Sequence, residues 1–235
     1  MTGVGSDQLV RGSLAPVRKL AGRRRLVLLN RWPDLPRDLT MGALARGHAD
    51  AIREGFGAEP IDLVGTSTGG SIAQQIAAEY PDVVRRLVLV STGCRLGPVG
   101  RRGQARVADL LRAGDLRAAC RFAGASLVPL PFKPFGAAVG GLAAKRVFDS
   151  TGAAADLLAT LDAEDAFDLT SCSDTIRAPT LIVAGGRDRF YGRDLFEETQ
   201  QLIPQSRLYL RPHRGHITVT FDRKAVATLQ SFLVH

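Results

Sequence analysis

The sequence contains little cysteine and no long apolar run. Its three cysteines, Cys94, Cys120 and Cys172, are widely spaced and odd in number, which is typical of neither a disulfide framework nor a zinc site. No apolar stretch has the length that a membrane-spanning helix needs, and the N-terminus lacks the apolar region of a signal peptide. We therefore expect a cytoplasmic protein with reduced thiols and no membrane partner.

Acidic residues are outnumbered by basic ones, 23 to 31, which gives a formal net charge of +8 at pH 7. Such a charge raises the question of a nucleic-acid partner. The densest basic clusters, 22–26 and 100–106, contain no interleaved aromatic residues and belong to no recognisable nucleic-acid-binding motif. We therefore predict an arginine-rich, solvated surface and no nucleic-acid partner. Binding through the arginines would instead give an affinity that falls steeply with salt.

Short apolar runs alternate with amphipathic segments along most of the 235 residues. We predict strands at 26–30, 60–65, 85–92, 178–186 and 206–212. We predict helices at 8–20, 40–56, 69–80, 193–203 and 222–233. Continuous apolar strands that alternate with helices indicate an α/β protein with a mostly parallel sheet, covered by helices on both faces.

One long stretch, residues 97–165, does not follow this alternation. It is rich in Ala, Leu and Arg, contains no good strand and is broken by the segment VPLPFKPFG at 128–136. We predict a helical insertion that forms a cap over a core made of residues 1–96 and 166–235. The apolar side chains of such a cap would suit a moderately hydrophobic substrate.

The segment LVGTSTGGSIAQQIA places Ser67 directly between a predicted strand and a predicted helix. A turn this tight strains the backbone at its tip and leaves no room for neighbouring side chains, a need that Gly65 and Gly69 would meet, while Gly70 would let the helix pack closely. The helix directs free N–H groups and its positive dipole end at the same place, so the N–H of Thr68 is a candidate oxyanion donor. The motif G-x-S-x-G is common, and its strand–turn–helix context is what makes Ser67 a candidate nucleophile.

A nucleophilic serine needs a base, and the chain has four histidines. We prefer His216, which follows the predicted strand at 206–212 and has a glycine before it that permits a loop toward the serine. His213 follows the same strand and stays an alternative. His48 falls within a predicted helix, which favours a structural role, and His235 is the terminal residue.

A third group has to orient the imidazole, and Asp188 lies just past the predicted strand at 178–186, although a turn role is also open for it. Ser67, Asp188 and His216 thus occur in this order, each after a separate strand. This arrangement resembles the α/β-hydrolase family, in its serine-hydrolase branch with a helical lid, and the resemblance covers nearly the whole chain. It implies that Ser67 is the nucleophile, Asp188 the acid and His216 the base, with no metal or organic cofactor.

The resemblance implies a serine hydrolase that cleaves an ester-like or related small, moderately hydrophobic acyl substrate through an acyl-enzyme. A second hypothesis is a non-catalytic ligand-binding protein on the same fold, since a fold does not fix a function. A small molecule is the expected partner in both cases. Arg31, Arg187 and Arg189 lie in loops at the predicted active edge, where they could meet an anionic substrate or simply face solvent.

The N-terminal part departs from the family pattern. The resemblance calls for three strands before 26–30, where we find only the predicted helix at 8–20. The segment MTGVGSD resembles the end of the family's glycine-rich oxyanion loop, so a second oxyanion donor could come only from the backbone around Thr2 and Gly3. We expect an N-terminally truncated coding sequence, with a naturally short variant as the alternative.

The strand order of the family places its third strand between the segments that correspond here to 26–30 and 61–64. Without that strand, we expect either a separation of about 9–10 Å, twice the normal strand spacing, or direct pairing of the two segments. The separation would leave buried backbone groups unsatisfied, at about 1–3 kcal/mol each, and would indicate truncation. Direct pairing would indicate a genuine short variant.

Overall fold

The fold, obtained as a computed structural model, is described for residues 17, 24–128, 130–147 and 152–234. These residues contain a four-stranded sheet with the order β1-β2-β3-β4, in which every neighbouring pair is parallel. Its strands are β1 (Ile61–Thr66), β2 (Val84–Val90), β3 (Thr180–Gly185) and β4 (Ser206–Arg211). Four of the five predicted strands are thus confirmed, with ends within two residues of the predicted ones.

Eight α-helices lie within the described residues. They are α1 (Met41–Phe56), α2 (Thr68–Glu79), α3 (Pro98–Arg112), α4 (Leu116–Ser126), α5 (Lys133–Val147), α6 (Ala153–Asp165), α7 (Arg193–Leu202) and α8 (Arg223–Val234). None of these helices is long and apolar enough to cross a membrane. The predicted helix at 8–20 lies outside the described residues except for position 17.

The predicted helical insertion corresponds to α3, α4, α5 and α6, which follow one another between β2 and β3. Its break is shorter than the predicted 128–136. A single 3₁₀ turn spans Leu130–Phe132, and α5 begins at Lys133. Pro134 is therefore in the first turn of a helix, where its missing N–H removes no helical hydrogen bond.

Local signals in the sequence set the ends of α1. The Thr40 side chain accepts a hydrogen bond from the N–H of Ala43 at 3.1 Å, which satisfies one of the free donors of the first turn. Gly57 follows the last residue with φ +71°, a conformation that favours glycine. The buried face includes Leu44 and Ile52, both fully inaccessible, so the helix packs one apolar stripe against the core.

The core lies on both faces of β2 and β3. Leu87, Leu89 and Ile182 belong to a large cluster on one face, and Val88 and Val183 belong to a second cluster on the other. Successive side chains of a strand point to opposite faces, so a strand buried on both faces has to be apolar throughout. Each such side chain contributes about 1.5–3 kcal/mol when buried.

The prediction of a strand at 26–30 is wrong. Residues 25–32 form neither helix nor strand, and within the described residues β1 pairs with β2 only, so direct pairing of 26–30 with 61–64 is also excluded. Both segments instead line one cavity of about 760 Å³. Val27 and Leu28 are each 44% exposed. A strand is stabilised by hydrogen bonds to a neighbouring strand, so an apolar run without such a neighbour stays irregular.

Candidate active site

Ser67 occupies the tight connection between β1 and α2. Its backbone has φ +52° and ψ −127°, a conformation that costs a residue other than glycine about 1–3 kcal/mol. Its N–H donates to the carbonyl of Val90 at 2.9 Å, and its own carbonyl accepts from the N–H of Gly70 at 2.7 Å. These two hydrogen bonds hold the strained residue at the tip of the turn, at the N-terminus of α2.

Two of the three glycines around Ser67 are required by close contacts. A Cβ at Gly65 would lie 2.5 Å from the carbonyl oxygen of Gly69, and one at Gly70 would lie 2.1 Å from the Cγ2 of Thr92. Gly69 differs, because a Cβ there would meet nothing within 4 Å. The expectation that Gly69 provides necessary space is therefore wrong, since the helix approaches its neighbours on the side of Gly70.

The structure brings together the three predicted catalytic side chains, which come from three separate loops. The Nε2 of His216 lies 3.0 Å from the Oγ of Ser67, and its Nδ1 lies 2.8 Å from the Oδ2 of Asp188. The other carboxylate oxygen of Asp188 accepts from the N–H of Phe190 at 2.8 Å, so this residue also has the turn role that the sequence left open. With a carboxylate at Nδ1, the proton stays on that nitrogen and Nε2 is free to accept one.

The imidazole of His216 is enclosed on several sides. The centre of the Phe190 ring lies 4.9 Å from the centre of the imidazole. The centre of the Tyr191 ring lies 6.0 Å from it, and the two ring planes are stacked at an angle of 11°. The Ser91 hydroxyl donates to the backbone carbonyl of His216 at 2.7 Å. His216 and Asp188 are only 6% and 4% exposed, so the pair is fixed in place and shielded from water.

The other histidines lie elsewhere. His213 is exposed on the surface, three residues before His216. His48 is buried in α1, with its Nδ1 2.8 Å from the carbonyl of Leu44, and burial lowers the pKa of this imidazole. His235 lies outside the described residues.

One of the two predicted oxyanion donors can be placed. Thr68 is the first residue of α2, so its N–H has no partner within the helix and lies at the positive end of the helix dipole, next to Ser67. Thr2 lies outside the described residues, as does Gly3. Among the residues that are described, no cluster of three His, Cys, Asp or Glu side chains is arranged to hold a metal ion.

A buried carboxylate beside Ser67 was not predicted from the sequence. Glu164, on α6, is fully inaccessible and accepts hydrogen bonds from Thr68 Oγ1 at 2.7 Å, Gln104 Nε2 at 2.7 Å and Ser71 Oγ at 2.9 Å. Three donors offset the cost of burying its charge. The carboxylate therefore ties the helical insertion to the first turn of α2. The small polar residues Thr68 and Ser71, which follow Ser67, were its only signal in the sequence.

The cavity of about 760 Å³ borders this site, although Ser67, Asp188 and His216 are not among its lining residues. Thr66, Thr68 and Gly69 line it beside Ser67, and Leu157 and Leu161 line it from α6. The three arginines predicted at the active edge differ in position. Arg31 lines the cavity, whereas Arg187 and Arg189 are exposed and do not line it.

Ser67, His216 and Asp188 form a hydrogen-bonded triad on loops that follow separate strands of a parallel sheet. This is the arrangement of an α/β-hydrolase. The chain belongs to the α/β-hydrolase fold family, whose sequence profile matches residues 30–222.

Curated relatives include bacterial esterases and part of a synthase. The pimeloyl-[acyl-carrier protein] methyl ester esterase of Neisseria meningitidis serogroup B is 26% identical over 231 residues, which cover 88% of this chain and 87% of that protein. Polyketide synthase ThaQ of Burkholderia thailandensis is 31% identical over 209 residues, which cover 83% of this chain but only 10% of the synthase. The pimeloyl-[acyl-carrier protein] methyl ester esterase of Chromobacterium violaceum is 45% identical over 65 residues, 26% of each chain.

Solved structures share the fold at low sequence identity. A thermophilic esterase from Thermogutta terrifontis superimposes with a TM-score of 0.71 at 21% identity, covering 95% of this chain and 85% of that one. The enol-lactonase from Burkholderia xenovorans has a TM-score of 0.69 at 22% identity, covering 84% and 74%. At this identity the likeness shows the common fold.

Proposed function

We propose that the protein is a serine carboxylic ester hydrolase, which cleaves small, moderately hydrophobic acyl substrates through an acyl-enzyme. The observation that carries the proposal is the hydrogen-bonded series from Asp188 through His216 to Ser67, with distances of 2.8 and 3.0 Å. The matched methyl ester esterases of Chromobacterium violaceum and Neisseria meningitidis support a carboxylic ester as the substrate class.

In the first half of the proposed reaction, the Oγ of Ser67 attacks the ester carbonyl while the Nε2 of His216 takes the hydroxyl proton. The carboxylate of Asp188 stabilises the imidazolium that results. The negative charge on the former carbonyl oxygen is met by the N–H of Thr68, which is oriented before the reaction begins. Collapse of the tetrahedral intermediate expels the alcohol, which receives its proton from Nε2.

In the second half, a water molecule takes the place of the alcohol. The water oxygen attacks the acyl carbon while His216 removes one of the water protons. A second tetrahedral intermediate forms, and its negative charge is again met by the N–H of Thr68. Breaking the bond to Ser67 releases the carboxylic acid and returns the proton to the serine hydroxyl. The reaction therefore needs a small-molecule ester and water, and our proposal includes no cofactor, nucleic acid or membrane.

The helical segment 97–165 is assigned the role of a cap over the substrate. Two observations support this part of the proposal: Leu157 and Leu161 of α6 line the cavity, and Glu164 contacts the first turn of α2. An apolar lining favours a moderately hydrophobic acyl group. We also place the enzyme in the cytoplasm, in agreement with its three free cysteine thiols.

The proposal is tested with nitrophenyl esters of acetate, butyrate and octanoate. We expect turnover by the wild type and a loss of at least about 10⁴-fold in kcat for His216→Ala, since a relay acts as a unit. The matched control is His213→Ala, which removes an exposed imidazole from the same loop and should keep the rate. Equal rates for wild type and His216→Ala would contradict the proposal. Saturable binding of the esters without turnover would favour the ligand-binding alternative.

A further inference from the structure

The cavity beside Ser67 carries an excess of positive charge. The arginines that line it are Arg24, Arg25, Arg31 and Arg85, whereas Asp62 is its only acidic lining residue among those described. That carboxylate is already engaged, because Arg24 lies 3.2 Å and Arg85 lies 2.7 Å from it. Asp62 is the second residue of β1, so these ion pairs lie at the end of the strand remote from Ser67.

The two remaining arginines have different surroundings. The guanidinium of Arg25 lies over the ring of Phe56 at 5.3 Å from its centre. The side chain of Arg31 donates one hydrogen bond, from Nη1 to the hydroxyl of Thr160, and within the described part of the chain no carboxylate lies at ion-pairing distance from it. A guanidinium has several N–H donors in a rigid fork, so most of those on Arg31 stay available to a ligand.

The carboxylates nearest to Arg31 are occupied by other donors. Asp156 accepts hydrogen bonds from the backbone N–H groups of Asp34 at 3.2 Å and Leu35 at 2.8 Å, and Glu164 accepts from three side chains. Burial lowers the pKa of Arg31, and the charges of Asp156 and Glu164 offset this shift only in part. Among the described residues, the guanidinium is thus a partly desolvated cation without a close counter-ion.

The contacts of α6 set the distance from Arg31 to the nucleophile. Thr160, which holds Arg31, and Glu164, which holds Thr68, are four residues apart on one face of the helix. Four residues rise about 6 Å along a helix, so Arg31 and Thr68 contact neighbouring turns of α6, and we infer a separation on the order of 10 Å between the guanidinium and Ser67. A short acyl chain can span this distance.

We propose that Arg31 forms an anion subsite in the active-site cavity, and that the preferred substrates are esters of short dicarboxylic acids whose second carboxyl group is free. The free carboxylate accepts charge-assisted hydrogen bonds from the guanidinium while the ester carbonyl lies at Ser67. The choice of substrate rests on the hydrolase function proposed above, whereas binding of the carboxylate does not.

The kinetic test uses pairs of substrates with equal chain length. Mono-nitrophenyl esters of succinic, glutaric and adipic acid are compared with nitrophenyl esters of butanoic, pentanoic and hexanoic acid. A hydrogen bond to a charged group predicts that kcat/KM favours the acidic member of at least one pair by about tenfold or more. Arg31→Gln should bring that ratio close to one, and Arg31→Lys should keep part of it. Arg187→Gln, which removes an exposed arginine, should leave both the ratio and the basal rate unchanged.

A binding measurement separates failure of the subsite from failure of the reaction. Ser67→Ala is titrated by calorimetry with monomethyl glutarate and with dimethyl glutarate. We expect tighter binding of the charged ester, and at least a tenfold loss when Arg31→Gln is added, with thermal unfolding showing that both variants are folded. Preference for the charged ester without turnover in the wild type would support the subsite and contradict the hydrolase function. Turnover with equal binding and equal kcat/KM for both members of every pair would overturn the subsite and leave the hydrolase function standing.

Discussion

β1 and β3 are strands of six residues in one sheet, yet they differ in what surrounds them. All six residues of β3 are buried, and β3 pairs with a strand on each side. In β1 only Gly65 is buried, Val64 is 36% exposed, and within the described residues the strand pairs on one side only. Neighbouring elements, together with the composition of the strand, thus decide how much a strand contributes to the core.

The difference extends to the candidate site. Asp188 follows β3 and is held by backbone N–H donors of its own loop, whereas Ser67 follows the edge strand. The support of Ser67 comes from Val90 at the end of β2 and, through Thr68, from Glu164 of the helical insertion. The position of Ser67 therefore depends on a distant segment of the chain in a way that the position of Asp188 does not.

The largest effect on kcat is expected from Asp188, which follows the inner strand β3. Asp188→Asn keeps the size of the side chain but removes the acceptor that fixes the proton on Nδ1 of His216, so kcat should fall about 10⁴-fold. Nitrophenyl ester hydrolysis measures this loss. Asp174→Asn alters an exposed carboxylate and serves as the control. A loss of less than tenfold for Asp188→Asn would mean that Asp188 does not orient the base.

On the edge-strand side, Glu164→Gln should lower kcat by about 10–100-fold and the free energy of unfolding by about 1–3 kcal/mol, because three donors lose a charged acceptor. The binding constant for a substrate ester should change much less. The neighbouring Asp165→Asn, at an exposed position, provides the control. If both variants behave alike, the link between the insertion and the nucleophile is without effect.

A matched pair of valines tests the comparison of strands itself. Val88→Thr introduces a hydroxyl at a fully inaccessible position of β2 and should cost about 1–3 kcal/mol of unfolding free energy. Val64→Thr makes the same change on the exposed side of β1 and should cost less than about 0.5 kcal/mol. Urea unfolding measures both. Equal costs would show that the edge of β1 is covered in solution.

The smallest effect concerns Asp222 after β4, which accepts N–H hydrogen bonds at the start of α8 and pairs with Arg211 at 2.9 Å and Arg214 at 2.7 Å. Burial raises the pKa of this carboxyl, but the N–H of Ala225 and the two guanidinium groups outweigh burial and lower the pKa to about 2.

Because the pKa of Asp222 is lower in the folded state than its unfolded value of about 3.9, its stabilisation is complete above that pH and is lost as the pH falls through about 2. Asp222→Asn should therefore lower the unfolding free energy by about 1–2 kcal/mol at pH 7, and the difference from the wild type should shrink below pH 4. Denaturant titrations from pH 7 to pH 2 measure it, and a difference that grows toward low pH would contradict the assignment.

The strands that were predicted correctly are those whose pairing partners also have a clear pattern in the sequence. β3 and the part of β2 at 87–90 are apolar runs that pair with each other. The order of Ser67, Asp188 and His216, each after a separate strand, predicted the three side chains that the structure brings together.

Other features depend on contacts between distant segments, which a local pattern does not contain. The run at 26–30 is as apolar as a strand but, within the described residues, has no strand beside it, so its predicted conformation was wrong. Glu164 lies 97 positions after Ser67, and nothing in its neighbourhood in the sequence marks it as part of the site. The sequence also did not distinguish Arg31 from Arg187, because only the fold decides which of them lines the cavity.

The central claim is that Ser67 is a nucleophile activated by His216. Its most direct test is the intact mass of the protein after reaction with a fluorophosphonate probe. We predict one adduct per chain, located on Ser67 by peptide mapping, no adduct in Ser67→Ala, and strongly slowed labelling in His216→Ala. Equal labelling of the wild type and Ser67→Ala, or an adduct on a different residue, would contradict the account.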